Sequence, residues 1–200
     1  LKHAAMIFEN RQKELNSEAQ KLQEKIFNIL WNTENEYFAL GTDFDKKGTL
    51  RIIDTITANP AELLESGLFD RLTPADKKKY ISGIVKMIMS EEFLTDAGIR
   101  SRGLSESRLV KFWDYHGSFT SWPKETIDIA RGLRRQGFNR LSIELENRLE
   151  NTIKALKAYS EFIFVDRRGR VLGAAAIPHH HAQRLTVDSS DDPEKIQAWT

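Results

Sequence analysis

One short segment of the chain combines aromatic rings, a histidine and a glycine directly before a predicted helix. Tyr115 and His116 precede Gly117, and Trp122 stands immediately before Pro123. Proline fits the first turn of a helix, because its missing N–H has no partner there and its φ angle is already near the helical value. Flat and polar side chains at such a place suit the stacking of a sugar ring or the binding of an anion. They fit a buried aromatic loop that closes a helix end equally well, so the segment by itself leaves both interpretations open.

The elements around this segment follow from periodicity and from turn residues. Apolar residues at helical spacing predict a first helix over 4–31 with one buried face. Thr73 as the cap and Pro74 at the first position predict the start of a helix that runs to about Ser90. Residues 91–121 show little periodicity and are predicted to be a long connection. The remaining predictions are a short helix at 61–66, an antiparallel helix pair at 122–136 and 140–160, hairpins at 37–41 with 49–52 and at 162–165 with 171–173, and irregular structure at 174–192.

Residues 115–138 resemble the Tyr-His-x-Gly-x-x-Trp-Pro … Gly-Leu-Arg-Arg-x-Gly segment of the α/α-toroid glycoside hydrolases, especially the amylo-α-1,6-glucosidase (glycogen debranching) type. Residues 36–43, 93–101 and 197–200 are similar to three further segments of that family, in the same order. The resemblance extends over roughly residues 20–200. It implies an all-α fold with two small β-hairpins, namely part of an (α/α)6 toroid.

The resemblance also implies roles for individual residues. Glu161 is expected to be the catalytic base, an ionised carboxylate that activates a water roughly 6.5–9.5 Å from a protonated acid in an inverting enzyme. Trp122 is expected to stack on a pyranose ring, and His116 to line the same subsite. The other substrate-binding candidates are Trp113, Tyr115 and Arg100.

Each of these roles has a structural alternative. Glu161 also fits a residue that caps a helix–strand junction, and Ser160 stands where the family usually has proline. Trp122 also fits a packed ring, and His116 a hydrogen-bonded side chain. Arg100 also fits a role in pinning its own loop, because a planar guanidinium group can donate to several backbone carbonyls at once.

Other polar residues are weaker candidates for catalytic or metal-binding groups. The resemblance puts the general acid far upstream, in a half of the toroid that this chain does not contain. Asp43 and Asp45 fit a hairpin turn better than a catalytic role. The consecutive residues His179–His181 point to alternate sides of an extended segment, and no cysteine or carboxylate pair completes a site. Neither a metal nor a cofactor is therefore expected.

Composition narrows the class of partner. The chain has 200 residues, a formal net charge of +1 and no cysteine, which excludes disulfides, thiolate zinc sites and cysteine catalysis. This charge gives no general attraction to nucleic acid or anionic membranes. No apolar run approaches the ~20 residues of a membrane span. The absence of cysteine fits a cytoplasmic protein, and the resemblance implies that its partner is a carbohydrate substrate.

Together these observations predict a single domain, residues 1–200, that forms the C-terminal portion of a larger (α/α)6 catalytic domain. It is expected to be the base-bearing, substrate-lining part of a glycoside hydrolase that cleaves α-glucosidic bonds in oligo- or polysaccharides with inversion. The isolated chain is expected to be inactive, and to pack against the remainder of the toroid or against itself. The alternatives are a non-catalytic helical carbohydrate-binding or protein-interaction module, and an isomerase or epimerase that relies on His116.

Overall fold

The computed structural model of the protein describes residues 2–108 and 117–172. In chain order the α-helices are α1 (Lys2–Lys25), α2 (Asn59–Glu62), α3 (Pro74–Ile88), α4 (Pro123–Arg135) and α5 (Asn139–Leu156). The strands are β1 (Trp31–Asn32), β2 (Tyr37–Phe38), β3 (Gly41–Phe44), β4 (Leu50–Ile53), β5 (Leu94–Thr95), β6 (Gly98–Ile99), β7 (Thr120–Ser121) and β8 (Ile163–Phe164). A π-helical turn (Ile26–Leu30) and 3-10 turns (Leu63–Glu65, Gly67–Phe69, Leu104–Arg108) complete the described elements.

The fold class is mixed α/β, so the predicted all-α fold, a segment of an (α/α)6 toroid, is wrong. Helix accounts for 53% of the structure, but 16% is strand, arranged in four small antiparallel two-stranded sheets. The pairs are β1 with β2, β3 with β4, β5 with β6 and β7 with β8. These strands occupy loops between helices, where buried backbone N–H and C=O groups must find partners outside helices. Because most of these strands have only two residues, they show no alternating apolar pattern by which the sequence could predict them.

The helix pair before and after Gly137 agrees with the sequence prediction. α4 and α5 pack against each other over much of their length, and Leu133 and Leu145 are fully buried in the main core. This core also contains Leu64, Phe69, Ile84, Ile88 and Phe93, so it joins α3 and the turns after α2 to the helix pair. The helix pair therefore forms the rigid base from which the segments before α4 and after α5 emerge.

The start of α3 also agrees with the prediction. Thr73 has extended backbone angles, and its Oγ1 accepts a hydrogen bond from the Asp76 N–H at 3.2 Å. Pro74 follows as the first helical residue. The cap satisfies one of the N–H groups that a helix start leaves unpaired, which is why this boundary could be read from residue types alone.

The first helix differs from the prediction. α1 ends at Lys25, and Ile26–Leu30 form a π-helical turn that leads into β1 at Trp31. Leu15 and Leu22 are 54% and 60% exposed, so the expected buried face is absent from this part of the helix. Burial begins only at Phe27, which packs on Phe38 and Tyr80. The apolar spacing thus predicted a helix correctly, but it did not show whether another part of the protein packs against the apolar face of that helix.

The two predicted hairpins are only partly correct. Around the turn Asp45–Gly48, β3 pairs with β4, whereas Tyr37 and Phe38 pair with Asn32 and Trp31 instead. Asp45 Oδ1 accepts from the N–H groups of Lys47 and Thr49, which agrees with a turn role. In the predicted hairpin of 162–165 with 171–173, the described pairing is limited to a single bridge between Val165 and Val171. β8 instead pairs with β7, which lies more than forty residues earlier in the chain. A pairing so distant has no local turn signal.

Candidate functional site

A cleft of about 380 Å³ lies at the N-terminal end of α4. Its walls come from four parts of the chain: the connection between β2 and β3, α2 with the residue Thr57 before it, the segment after β6, and the start of α4. The lining residues are Leu40, Thr57, Asn59, Glu62, Ser101, Arg102, Trp122, Lys124 and Glu125. The cleft therefore combines one indole ring, two carboxyl groups and two cationic side chains.

Trp122 is fixed at the mouth of α4. It is the N-cap residue, with extended backbone angles, and Pro123 begins the helix. Its ring stacks on Phe162 with a centroid distance of 5.7 Å and an interplanar angle of 30°, and the residue is 9% exposed. The pairing of Ser121 with Ile163 brings these two segments together. Trp122 is thus both a packed ring and part of the cleft wall, so the two alternatives for this residue do not exclude each other.

Glu125 is the carboxyl group of the cleft with the most perturbed protonation. It lies in the first turn of α4, and Ser101 Oγ donates a hydrogen bond to its Oε2 at 3.0 Å. Burial raises the pKa of Glu125 to about 7, and the negative charges of Glu62 and Asp128 act in the same direction. The Ser101 hydrogen bond and the nearby Lys124 oppose this rise without cancelling it. Glu125 can therefore hold or release a proton near neutral pH, as a general acid or base must.

Glu62 is the second carboxyl group of the cleft. Burial raises its pKa, and the charge of Asp128 raises it further, while Lys124 lowers it. Lys124 itself pairs with Asp128, with Nζ and Oδ2 2.7 Å apart. Since the charge of Glu62 also raises the pKa of Glu125, the two carboxyl groups interact within one site. The charge of Glu62 thus adds to the effect of burial, which is the larger cause of the raised pKa of Glu125.

Two further residues of the cleft carry buried polar atoms without a protein partner. Thr57 and Arg102 face each other through an isolated antiparallel bridge, and both line the cleft. Thr57 Oγ1 and Arg102 Nε have no hydrogen-bond partner in the described structure. A buried polar atom left unpaired is costly and is unusual in native proteins. Both atoms are shielded from solvent, so they are unsatisfied inside the wall rather than open to the cleft.

Arg100 lies outside this lining set and is almost fully buried, at 1% exposure. Its guanidinium group donates to the backbone carbonyls of Ser118 at 2.6 Å, Asp166 at 2.9 Å and Arg167 at 3.1 Å. Burial lowers its pKa to about 10, partly offset by the charge of Asp166. These contacts are the loop-pinning arrangement that the sequence offered as the alternative to substrate binding.

Glu161 comes directly before the Phe162 ring that stacks on Trp122. It is partly buried, and it is not among the residues that line the Glu125 cleft. The helix pair thus returns the chain to the end of the molecule where Trp122 lies, while the side chain of Glu161 is outside that cleft. The candidates Trp113, Tyr115 and His116, together with His179–His181, lie outside the described residues.

The sequence by itself does not mark Glu125 and Glu62 as site residues. A carboxylate in the first turn of a helix is commonplace, because it interacts favourably with the helix dipole. The signal that sets Glu125 apart is its position three residues after Trp122 on the same turn, together with burial by the 101–102 segment. The first half of that signal is visible in the sequence, but the second half exists only in the folded chain.

In residues 2–108 and 117–172 no cluster of metal-ligating side chains occurs, and no helix is long and apolar enough to cross a membrane. Comparison of the sequence with protein-family models gave no match, and comparison with curated proteins gave none either. The fold and the site therefore define a mixed α/β protein with a cleft that holds a proton-bearing carboxyl group, and any assignment of function rests on that geometry and on the sequence motifs.

Proposed function

We propose that this chain is a carbohydrate-active protein that binds an α-glucosidic oligo- or polysaccharide in the Glu125 cleft and contributes to hydrolysis of its glycosidic bond. The observation that carries the proposal is Glu125 itself, whose pKa of about 7 leaves it partly protonated at neutral pH beside an indole ring. Hydrolysis of a glycosidic bond requires a carboxyl group that is still protonated at the working pH.

The remaining lining residues support a sugar as the ligand. An aromatic ring offers a flat apolar surface for the C–H face of a pyranose, and Trp122 lies in the wall. The cleft is also lined by polar side chains that can donate to or accept from sugar hydroxyl groups, namely those of Asn59, Arg102 and Lys124. The sequence resemblance to amylo-α-1,6-glucosidases points to the same substrate class.

The reaction needs two groups with opposite protonation. In the proposed mechanism Glu125 gives its proton to the glycosidic oxygen as the bond from that oxygen to the anomeric carbon breaks. A water molecule adds to the opposite face of the anomeric carbon and gives its proton to an ionised carboxylate. Glu62 is the other carboxylate that lines the cleft and is the base that this geometry offers, whereas Glu161, the base that the resemblance implies, does not line it.

The first test is saccharide binding, measured by titration calorimetry with maltotriose and isomaltotriose. The wild-type chain and Glu150→Gln, an exposed carboxylate on α5 paired only with Lys154 in the described ion pairs, should bind alike. Glu125→Gln keeps an oxygen that can accept from Ser101, and should bind too. Trp122→Phe should weaken binding by removing part of the stacking surface. Absence of saccharide binding by the wild-type chain would overturn the proposal.

The second test is hydrolysis of α-1,4 and α-1,6 glucosides. If Glu125 is the acid, Glu125→Gln should lower kcat by ~10² or more, and the wild-type rate should fall above a pH of about 7. Glu161→Gln should lower kcat by a similar factor with KM little changed if Glu161 is the base. Saccharide binding without turnover at any pH would instead favour the non-catalytic carbohydrate-binding module.

A further inference from the structure

A second groove, with none of the lining residues of the Glu125 cleft, lies between α3 and the turn that joins β1 to β2. Its volume is about 480 Å³. One wall is Trp31 with the nearby Glu36, and the other is a face of α3 that carries Lys78, Lys79 and Lys86. This groove is therefore larger than the Glu125 cleft and is much more basic.

The geometry of α3 gathers these lysines on one side of the groove. Positions 78, 79, 82, 83 and 86 repeat at intervals of three and four residues, so their side chains share one helical face. Between the lysines stands Gly83, where a Cβ would overlap the carbonyl oxygen of Glu36 and lie 2.8 Å from the Trp31 ring. The close approach of α3 to the β1–β2 turn thus depends on this glycine, and it sets the lysines beside Trp31.

The charge of the groove is unbalanced. Among the described residues that line it, Glu36 is the single carboxylate, set against three lysines. Lys86 Nζ pairs with Glu36 Oε2 at 2.9 Å, although both side chains remain largely exposed. Lys79 Nζ lies over the rings of Trp31 and Tyr80, at 5.7 and 5.1 Å from their centroids. The aromatic wall therefore holds an ammonium group in place beside the groove.

Trp31 adds an unused hydrogen-bond donor. Its Nε1 is buried and has no acceptor in the described structure. An indole N–H can only donate, and this one is shielded from solvent, so an acceptor in the groove would reach it only after a shift of the ring. The Trp31 ring therefore shapes the wall of the groove, and the lysines supply its charge.

We propose that this groove binds a phosphate-bearing small molecule. The ammonium groups of Lys78, Lys79 and Lys86 contact the phosphate oxygens, and the Trp31 ring forms the adjoining wall. Lysine ammoniums are compact charges that suit a tetrahedral oxyanion, whereas planar carboxylates are matched better by the arginine fork. The groove has room for more than the phosphate group, so the ligand class is a phosphate ester. This site does not depend on the carbohydrate function proposed above.

The experiment follows the Trp31 indole N–H resonance by NMR during titration with inorganic phosphate and, separately, with phenyl phosphate at matched ionic strength. We expect a saturable shift, with phenyl phosphate binding more tightly than inorganic phosphate. Lys79→Ala should weaken binding by about tenfold, the loss expected for one charge-assisted contact. Lys154→Ala, on α5, is the matched control and should leave the affinity unchanged.

A variant that is expected to raise the affinity for phosphate distinguishes binding at this groove from general attraction between charges. Glu36→Gln removes the one carboxylate that competes for Lys86 in the groove, and it should tighten binding several-fold without removing any lysine. Equal affinities for both probes would overturn the assignment of the ligand to the phosphate esters. A shift that never saturates, or an equal loss of affinity in Lys154→Ala and Lys79→Ala, would overturn the proposal.

Discussion

At the scale of the residue, two ionisable side chains stand out because they are buried and have shifted pKa values. Glu125 and Arg100 are two such groups with different roles. Glu125 is a carboxyl group whose ionisation is disfavoured, and Arg100 is a cation whose N–H groups donate to backbone carbonyls inside the protein. Both perturbations arise chiefly from desolvation, which disfavours the charged form of either group. Each therefore makes a prediction that can be measured without knowing the ligand.

The stability of the chain should depend on pH through Glu125. Its pKa in the folded state, about 7, lies above the 4.5 of a free glutamate, so between these values the folded chain holds a proton that the unfolded chain has lost. The contribution of Glu125 to the free energy of unfolding is then full below pH 4.5 and falls as the pH rises to about 7. Glu125→Gln should remove this fall, at most on the order of 3 kcal/mol.

The measurement is urea unfolding of the wild type, Glu125→Gln and the control Glu150→Gln at pH 5 and pH 8. The quantity to compare is the difference between wild type and variant at each pH, because other carboxylates contribute trends of their own. Parallel pH profiles for wild type and Glu125→Gln would contradict the raised pKa.

Arg100 should be needed for folding stability. Arg100→Met keeps an apolar stem of similar length but leaves the carbonyls of Ser118, Asp166 and Arg167 without their donor. Because each buried acceptor left unpaired costs about 1–3 kcal/mol, we expect a loss of about 3 kcal/mol or more in the free energy of unfolding. Arg135→Met, which removes a surface ion pair with Asp70, should cost less than about 1 kcal/mol. Equal losses in thermal unfolding would argue against the pinning role.

At the scale of the element, close contact between α4 and the turn after α2 decides how the cleft is assembled. Gly132 of α4 faces Leu64 and Glu65, and a Cβ there would lie 2.7 Å from Leu64 Cβ and 2.9 Å from the Glu65 backbone nitrogen. The turn belongs to the segment that also carries Glu62. The spacing between these elements therefore fixes the distance between Glu62 and the first turn of α4.

Gly132→Ala should destabilise the protein even though alanine favours helix over glycine by about 1 kcal/mol. The added methyl group must push backbone away, and we expect a net loss of about 2 kcal/mol. Gly41→Ala is the control, because a Cβ at position 41 meets nothing within 4 Å. Chemical denaturation gives both values, and a Gly132→Ala variant as stable as the wild type would show that the two elements can separate freely.

At the scale of the whole molecule, the β3–β4 hairpin presents an apolar face with no covering element in the described structure. Phe44 and Leu50 are directly opposite each other, and Ile52 follows on the same face. They are 65%, 46% and 53% exposed. A two-stranded hairpin is marginally stable by itself, so such a face is expected to find a partner.

We expect the chain to self-associate through this face at high concentration. Replacing Phe44→Ser together with Ile52→Ser should reduce the association by removing apolar area, whereas Thr42→Ser should leave it unchanged. Sedimentation velocity over a range of concentrations measures the effect. A wild-type chain that stays monomeric at the highest concentration would contradict this expectation.

The sequence by itself determined the features whose signals are local. Thr73 with Pro74, and the α4–α5 pair around Gly137, could be read from caps, proline positions and helical spacing, because these depend on neighbouring residues alone. The tertiary structure decided the rest. The pairing of β7 with β8 joins residues far apart in the chain, the exposure of Leu15 depends on what packs against α1, and the proton on Glu125 depends on burial by a distant segment. Burial and long-range pairing are properties of the folded chain, so no short stretch of sequence could contain them.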